Sequence, residues 1–178
     1  FAYFAKKAGY KVVALSNSKG GVYSAKGLDP DKFADYKQNL TNEELLELPV
    51  DVLVPAALEN QITKDNAGKI KAKYILEMAN GPVTPAADEI LHRRGIVSLP
   101  DVLCNAGGVT VSYFEWCQNN SGYYWTKTDV FAKLKAIMDQ AFKDVWQIYQ
   151  SKKVNPRLAA YILAVDRVVK AMLLRKGL

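Results

Sequence analysis

Apolar residues recur along this chain in two rhythms. Short unbroken runs alternate with longer stretches in which apolar positions return every three or four residues. The runs Lys11–Leu15, Val50–Val54, Tyr74–Glu77 and Gly95–Leu99 have the length and composition of buried strands. Between them, helical spacing and end signals predict helices. Phe1–Gly9 reads as the tail of a helix, with Lys6 and Lys7 in its last turn and Gly9 as its stop. Pro30–Gln38 is predicted helical, with Asp29 as its cap. Thr41-Asn42-Glu43-Glu44 is a capping-box pattern that starts another helix. A short helix is expected around Lys64–Ala67, one over Pro85–Arg93 stopped by Gly95, and one from Gly108 to about Asn119. Ser16–Leu28 reads as loop. Two long helices close the chain, Asp129–Gln150 and Pro156–Arg175, each with an apolar stripe suited to a core or a domain contact.

Strands alternating with helices predict an α/β fold, Rossmann-like and doubly wound, with a mostly parallel sheet and long C-terminal helices. The expected organisation is a single domain over 1–178, with sheet and crossover helices to about 125 and C-terminal helices over about 126–178. The first residue is Phe1 and no cap precedes the first helix, so the chain reads as beginning in mid-element.

Composition narrows the class. The 178 residues are 49% apolar and 24% charged, which fits a folded globular domain rather than a disordered one. The longest apolar run, Leu158–Val165, is far short of the roughly 20 residues of a membrane span. With no signal peptide pattern either, a cytoplasmic location is expected. The net charge of +6 is scattered in short clusters such as Lys6-Lys7, Arg93-Arg94 and Lys152-Lys153. None reaches the roughly five to eight residues of a nucleic-acid-binding tail, so neither nucleic acid nor membrane is expected as a partner. Cys104 and Cys117 form no CxxC pair, and His92 is the single histidine, on a charged surface stretch. A zinc site and a Ser-His-Asp triad are therefore not expected.

Ligands of open parallel sheets bind beyond the carboxyl ends of the strands. Four segments follow the strand-like runs: Ser16-Asn17-Ser18, Pro55-Ala56-Ala57, Ala79-Asn80-Gly81-Pro82 and Asn105-Ala106-Gly107-Gly108. All are small and polar. Turn chemistry alone explains such composition, and so does a shared binding edge. No GxGxxG turn occurs. Asn17 stands where a dinucleotide domain keeps its ribose-binding acid, with Lys19 nearby, and an amide there does not repel a 2′-phosphate. Val109 and Ser112 are three apart and share a helix face, offering a methyl surface beside a hydroxyl. The same hydroxyl is also able to bond back to its own helix.

Asn105-Ala106-Gly107-Gly108-Val109-Thr110-Val111-Ser112-Tyr113-Phe114-Glu115-Trp116 resembles the signature of hexameric glutamate dehydrogenases. Val54–Ile62, Ala79–Asp88 and Ala159–Val165 resemble the same family in the same order. The resemblance covers essentially the whole chain. It implies the C-terminal, NAD(P)-binding part of such an enzyme, with the first strand and glycine-rich turn upstream of Phe1. It also implies that the N-terminal catalytic domain, with its lysine and aspartate, is absent from this chain. NAD or NADP is the implied cofactor. L-glutamate, 2-oxoglutarate and ammonia are the implied reactants, and a homohexamer the implied assembly. By the same resemblance Asn17 and Ser18 face the adenosine ribose, and Ala56, Ala57 and Gln61 lie along the cofactor. Asn80 and Asn105 lie near the nicotinamide half. Val109 and Ser112 complete the glutamate pocket, Ser112 meeting the distal carboxylate. Leucine and phenylalanine dehydrogenases share the fold and the Asn-Ala-Gly-Gly turn without the Val-Ser-Tyr-Phe-Glu-Trp continuation, and a stand-alone nucleotide-binding module is the other alternative. Two departures stand out. Met78 occupies a place where the family often has glycine, and Tyr36–Thr41 is shorter than the family's usual loop.

Overall fold

The structure is a computed structural model describing residues 1–176. Residues 177 and 178, at the end of the predicted C-terminal helical part, lie outside the described residues. The chain divides into two compact units, Phe1–Val50 with Lys69–Ala72, and Asp51–Gly68 with Lys73–Leu178.

The first unit is built on a hairpin. β1 (Ala14–Asn17) pairs antiparallel with β2 (Gly20–Tyr23). The predicted strand Lys11–Leu15 therefore starts later, and part of the predicted loop Ser16–Leu28 is strand. The signal lies in the turn. Asn17 Oδ1 accepts the Lys19 N–H at 2.8 Å, and Gly20 takes φ +135°. Asn39 then clamps Tyr23 by two bonds, its Oδ1 accepting the Tyr23 N–H at 2.8 Å and its amide donating to the Tyr23 carbonyl at 3.0 Å. The Leu40 carbonyl accepts the Gly21 N–H at 2.9 Å. These bonds hold residues 39–40 extended, so the element predicted over Pro30–Gln38 is a 3₁₀ helix ending at Asp35. α1 (Ala2–Lys7) has no side-chain cap, and Gly9 leaves it with φ +91°. Lys6 and Asp29 pair at 2.8 Å. α2 (Asn42–Leu46) has the full capping box: Thr41 Oγ1 accepts the Glu44 N–H, and the Glu44 carboxylate accepts the Thr41 N–H at 2.7 Å.

The second unit carries a parallel sheet in the order β3 (Val52–Leu53), β4 (Tyr74–Leu76), β5 (Val97–Leu99). The parallel α/β arrangement expected from the alternation is present here. Leu53, Ile62, Ile75 and Leu91 form its apolar interior. The helix expected around Lys64–Ala67 is instead a turn. Asn66 Oδ1 accepts the Thr63 N–H at 2.8 Å, and a 3₁₀ turn follows over Ala67–Lys69. α3 (Pro85–Arg93) starts and ends as predicted, capped by Thr84. α4 (Asp101–Cys104) and α5 (Ala106–Ser121) follow β5. α6 (Lys127–Lys152) begins two residues before the predicted Asp129, because Thr126 and Asp129 form a capping box. α7 (Pro156–Lys176) packs along α6 and against β5. Leu103, Val145, Ala159 and Ala160 bury each other where α4, α6 and α7 meet.

Buried charge joins these elements. Glu77, at the end of β4, is 0% exposed, and Asp88 on the inner face of α3 is 4% exposed. Arg157 on α7 reaches both: its guanidinium pairs with Glu77 Oε1 at 2.5 Å and with Asp88 Oδ2 at 3.4 Å. A third arm meets Asp101 Oδ1 at 3.2 Å. Ser98 Oγ donates to Glu77 Oε1 at 2.8 Å, while Glu77 Oε2 has no hydrogen-bond partner.

Two predictions follow from this packing. A Cβ at Gly20 would stand 3.2 Å from the Leu40 carbonyl oxygen, on a backbone that side chains rarely adopt. Gly20→Ala is expected to cost about 1–3 kcal/mol, read as an earlier urea midpoint; an unchanged midpoint would refute the close approach. At Glu77, burial pushes the carboxyl above its ordinary range and outweighs the opposing pull of Arg157 and Ser98. The folded protein therefore holds a proton there at a pH where the unfolded chain has released it. Acidification from the raised folded value down to the ordinary 4.5 favours folding through this group. Wild type is expected to gain stability relative to Glu77→Gln across that window, in urea unfolding at a series of pH values. A difference that is flat with pH would remove the burial effect.

Candidate functional site

Three of the four small, polar segments come together at the carboxyl edge of the parallel sheet. Backbone bonds do most of the joining. The Pro55 carbonyl, after β3, accepts the Met78 and Ala79 N–H groups, each at 3.0 Å. The Gly81 carbonyl accepts the Asn60 N–H at 2.9 Å, and Pro82 accepts from Ile62 at 2.9 Å. The segment after β5 is tied in by Asp101, whose Oδ2 accepts the Gly81 N–H at 2.8 Å. The fourth segment lies in the first unit. There Asn17 Oδ1 is used inside the hairpin turn, and Ser18 is exposed.

Asn80 and Asn105 meet directly. The Asn105 side-chain amide donates to Asn80 Oδ1 at 2.7 Å. A paired amide of this kind always leaves one NH₂ group and one carbonyl oxygen unspent, whichever way round the pair is arranged. Gly81 turns the chain with φ +56°, and a Cβ there would touch only Glu59 Cβ, at 4.0 Å, so the turn is open to approach. Ala56 and Ala57 are exposed, while Gln61 is half-buried and donates to the Glu59 carbonyl at 2.9 Å. Met78 is half-buried beside this edge.

α5 continues from Asn105. Its first turn has no side-chain cap, and nothing lies within 4 Å of a Cβ placed at Gly108. Val109 and Ser112 sit four and seven residues beyond Asn105, on one face of that helix. Val109 is 70% exposed, and Ser112 is exposed as well. The back-bond to its own helix that was possible for Ser112 is not made, although Thr110 Oγ1 on the same helix donates to the Ala106 carbonyl at 2.8 Å. Among the described residues the Ser112 hydroxyl has no partner. Cys104 is held out of chemistry, since burial pushes its thiol up to about 11. His92 is exposed in the last turn of α3. Among the described residues no group of three or more His, Cys, Asp or Glu is placed to hold a metal, and no helix is long and apolar enough to cross a membrane.

Sequence reading passed over the Glu77–Asp88–Asp101–Arg157 cluster. Its signal was available in each separate context. Glu77 ends an apolar run, Asp88 follows buried Ala87 and precedes buried Leu91, and Arg157 opens the apolar stretch Leu158–Val165. An ionisable residue inside an apolar pattern marks a buried pair, though not its partner.

The Glutamate/Leucine/Phenylalanine/Valine dehydrogenase family model matches residues 1–176. The chain is 51% identical to an NADP-specific glutamate dehydrogenase of Synechocystis sp., over 92% of this chain and 43% of that protein. It is 47% identical to an NAD-specific glutamate dehydrogenase of Staphylococcus aureus, over 92% of this chain and 42% of that one. In structure it is similar to a hetero-hexameric glutamate dehydrogenase from Thermus thermophilus, solved in a Leu-bound form. That likeness has a TM-score of 0.91 and 30% identity, over 98% of this chain and 44% of that one. The chain thus spans less than half the length of these relatives. With a family model matched across residues 1–176, the chain belongs to the Glutamate/Leucine/Phenylalanine/Valine dehydrogenase family.

Proposed function

We propose that this chain is the cofactor-binding part of a glutamate dehydrogenase, whose whole protein interconverts L-glutamate with 2-oxoglutarate and ammonia using NAD or NADP. The observation that carries this reading is one continuous strip on the second unit: the Asn80–Asn105 amide pair, then Val109, then Ser112. The unspent NH₂ group and carbonyl oxygen of the pair match a carboxamide, which presents the complementary acceptor and donor. That is the polar group of a nicotinamide ring. The residues therefore fit the cofactor on their own chemistry.

Bound there, the dinucleotide would supply the hydride acceptor or donor. This chain's residues would orient it and shape the neighbouring substrate site. Asn80 and Asn105 are assigned to the carboxamide, and Ala56, Ala57 and Gln61 to the length of the cofactor. Small side chains at 56 and 57 leave the backbone edge open for that role. Asn17 and Ser18 are assigned to the adenosine ribose. A neutral amide at 17 with Lys19 nearby carries no charge that repels a 2′-phosphate. Val109 would lie against the aliphatic stem of glutamate, and the unpartnered Ser112 hydroxyl would donate to its distal carboxylate. A hydroxyl in that position discriminates between a dicarboxylic substrate and an aliphatic one in a way that a methyl surface cannot. The catalytic lysine and aspartate of the family would come from the remainder of the protein, and the residues named here hold no proton at the reacting carbon. The whole protein is proposed to be a homohexamer acting in the cytoplasm.

The experiment is an assay of the full-length protein with 2-oxoglutarate and ammonium, comparing NADH with NADPH. Turnover with either is the expected result, while the 178-residue chain alone is expected to be inert. In the full-length enzyme, Ser112→Ala is expected to lower kcat/KM for glutamate by the equivalent of about 1–3 kcal/mol, with much less effect on leucine. An unchanged kcat/KM would remove Ser112 from the pocket, and a preference for leucine in wild type would favour the branched-chain reading of the family.

A further inference from the structure

The Gly81 turn has little packing to hold it. A side chain there would find only Glu59 Cβ at 4.0 Å, and the residue sits in the left-handed region with φ +56°. Its conformation rests on two hydrogen bonds of its own backbone. The carbonyl accepts from the Asn60 N–H at 2.9 Å, and the N–H donates to Asp101 Oδ2 at 2.8 Å.

Asp101 holds the second asparagine too. Its backbone carbonyl accepts the Asn105 N–H at 3.0 Å. Its Oδ1 accepts the Val102 N–H at 2.8 Å and faces Arg157 Nη1 at 3.2 Å. The side chain is thus gripped from two sides, by the site's backbone and by a guanidinium. That guanidinium is in turn fixed to the interior, through Glu77 at the end of β4 and Asp88 on α3. The guanidinium meets the three carboxylates through three separate nitrogens held in one plane, a spread that the single nitrogen of an ammonium does not reproduce.

We infer that Arg157 and Asp101 are positioning residues that set the Asn80–Asn105 amide pair, and through it the affinity for the carboxamide end of a nicotinamide dinucleotide. The inference rests on the function proposed above. Arg157 touches neither asparagine, and acts through Asp101, whose carboxylate bonds the Gly81 N–H beside Asn80 and whose backbone carbonyl holds the Asn105 N–H. Asp88 offers an internal control, because it shares the guanidinium but bonds neither segment.

The test uses the full-length protein and four variants: Arg157→Lys, Asp101→Ala, Asp101→Asn and Asp88→Asn. Dissociation constants for NADH and NADPH are measured by fluorescence titration. Amide hydrogen exchange over residues 79–83 is followed without cofactor, and thermal midpoints report folding. Arg157→Lys and Asp101→Ala are expected to weaken binding on the order of tenfold and to speed exchange at Gly81. Asp101→Asn keeps an acceptor for the Gly81 N–H and should fall between these and wild type. Asp88→Asn is expected to lower the midpoint while leaving binding within about twofold and Gly81 exchange unchanged. The inference is overturned if Arg157→Lys leaves Gly81 exchange at the wild-type rate, or if all four variants lose binding alike. Wild-type protein that binds neither dinucleotide would instead overturn the proposed function, and exchange at Gly81 would still decide whether Arg157 holds the turn.

Discussion

A carboxylate taken out of water without a counter-charge costs a protein several kcal/mol. Glu77 is fully buried immediately after β4, and the chain runs on from it directly into the segment with Asn80. Arg157 offsets that cost, and in doing so it decides how the second unit is put together. From α7 the guanidinium meets Glu77 after β4, Asp88 on α3 and Asp101 at the start of α4, and so ties all of these elements to one another. The packing of Ala159 and Ala160 against Leu103 and Val145 brings α7 close enough for that reach. Apolar burial supplies the proximity, and the charges supply the register. Burial is the dominant influence on both Glu77 and Asp88, and it pushes them toward their protonated forms against the opposing pull of Arg157.

Much of this architecture is written locally. The capping box at Thr41 and Glu44, the Thr84–Pro85 start of α3 and the stop at Gly95 depend on residues within a few positions of each other, and all three are visible in the sequence. The hairpin of the first unit was harder. Asn17–Gly20 has turn chemistry, but the clamp that shortens the following helix comes from Asn39, sixteen positions from Tyr23. Likewise the two-residue shift at the start of α6 lies in the choice between Thr126 and Asp129 as cap. The site divides in the same way. The segments at 55–57, 79–82 and 105–108 could be found because they follow apolar runs. Their physical connection could not, since the Arg157–Glu77 pair spans 80 positions and the Gly81–Asp101 bond 20. Helical spacing puts Val109 and Ser112 on one face, whereas which hydroxyl of this helix bonds back to its backbone, Thr110 to the Ala106 carbonyl, depends on side-chain rotamers that spacing does not specify.

The division of labour between backbone and side chain at the sheet edge has an evolutionary consequence. The segments after β3 and β4 are fastened by carbonyls and N–H groups of Pro55, Asn60, Ile62, Met78, Ala79, Gly81 and Pro82. None of those bonds depends on what side chain stands at positions 56, 57 or 58, all of which face solvent. A lineage can therefore replace these residues one at a time without first redesigning the frame that presents them. Asp101 and Arg157 have no such latitude, since each is bound to several partners at once. Changes at the rim would therefore alter what the edge binds and not how it is held, so a new specificity could arise there one residue at a time while the ionic cluster stays as it is.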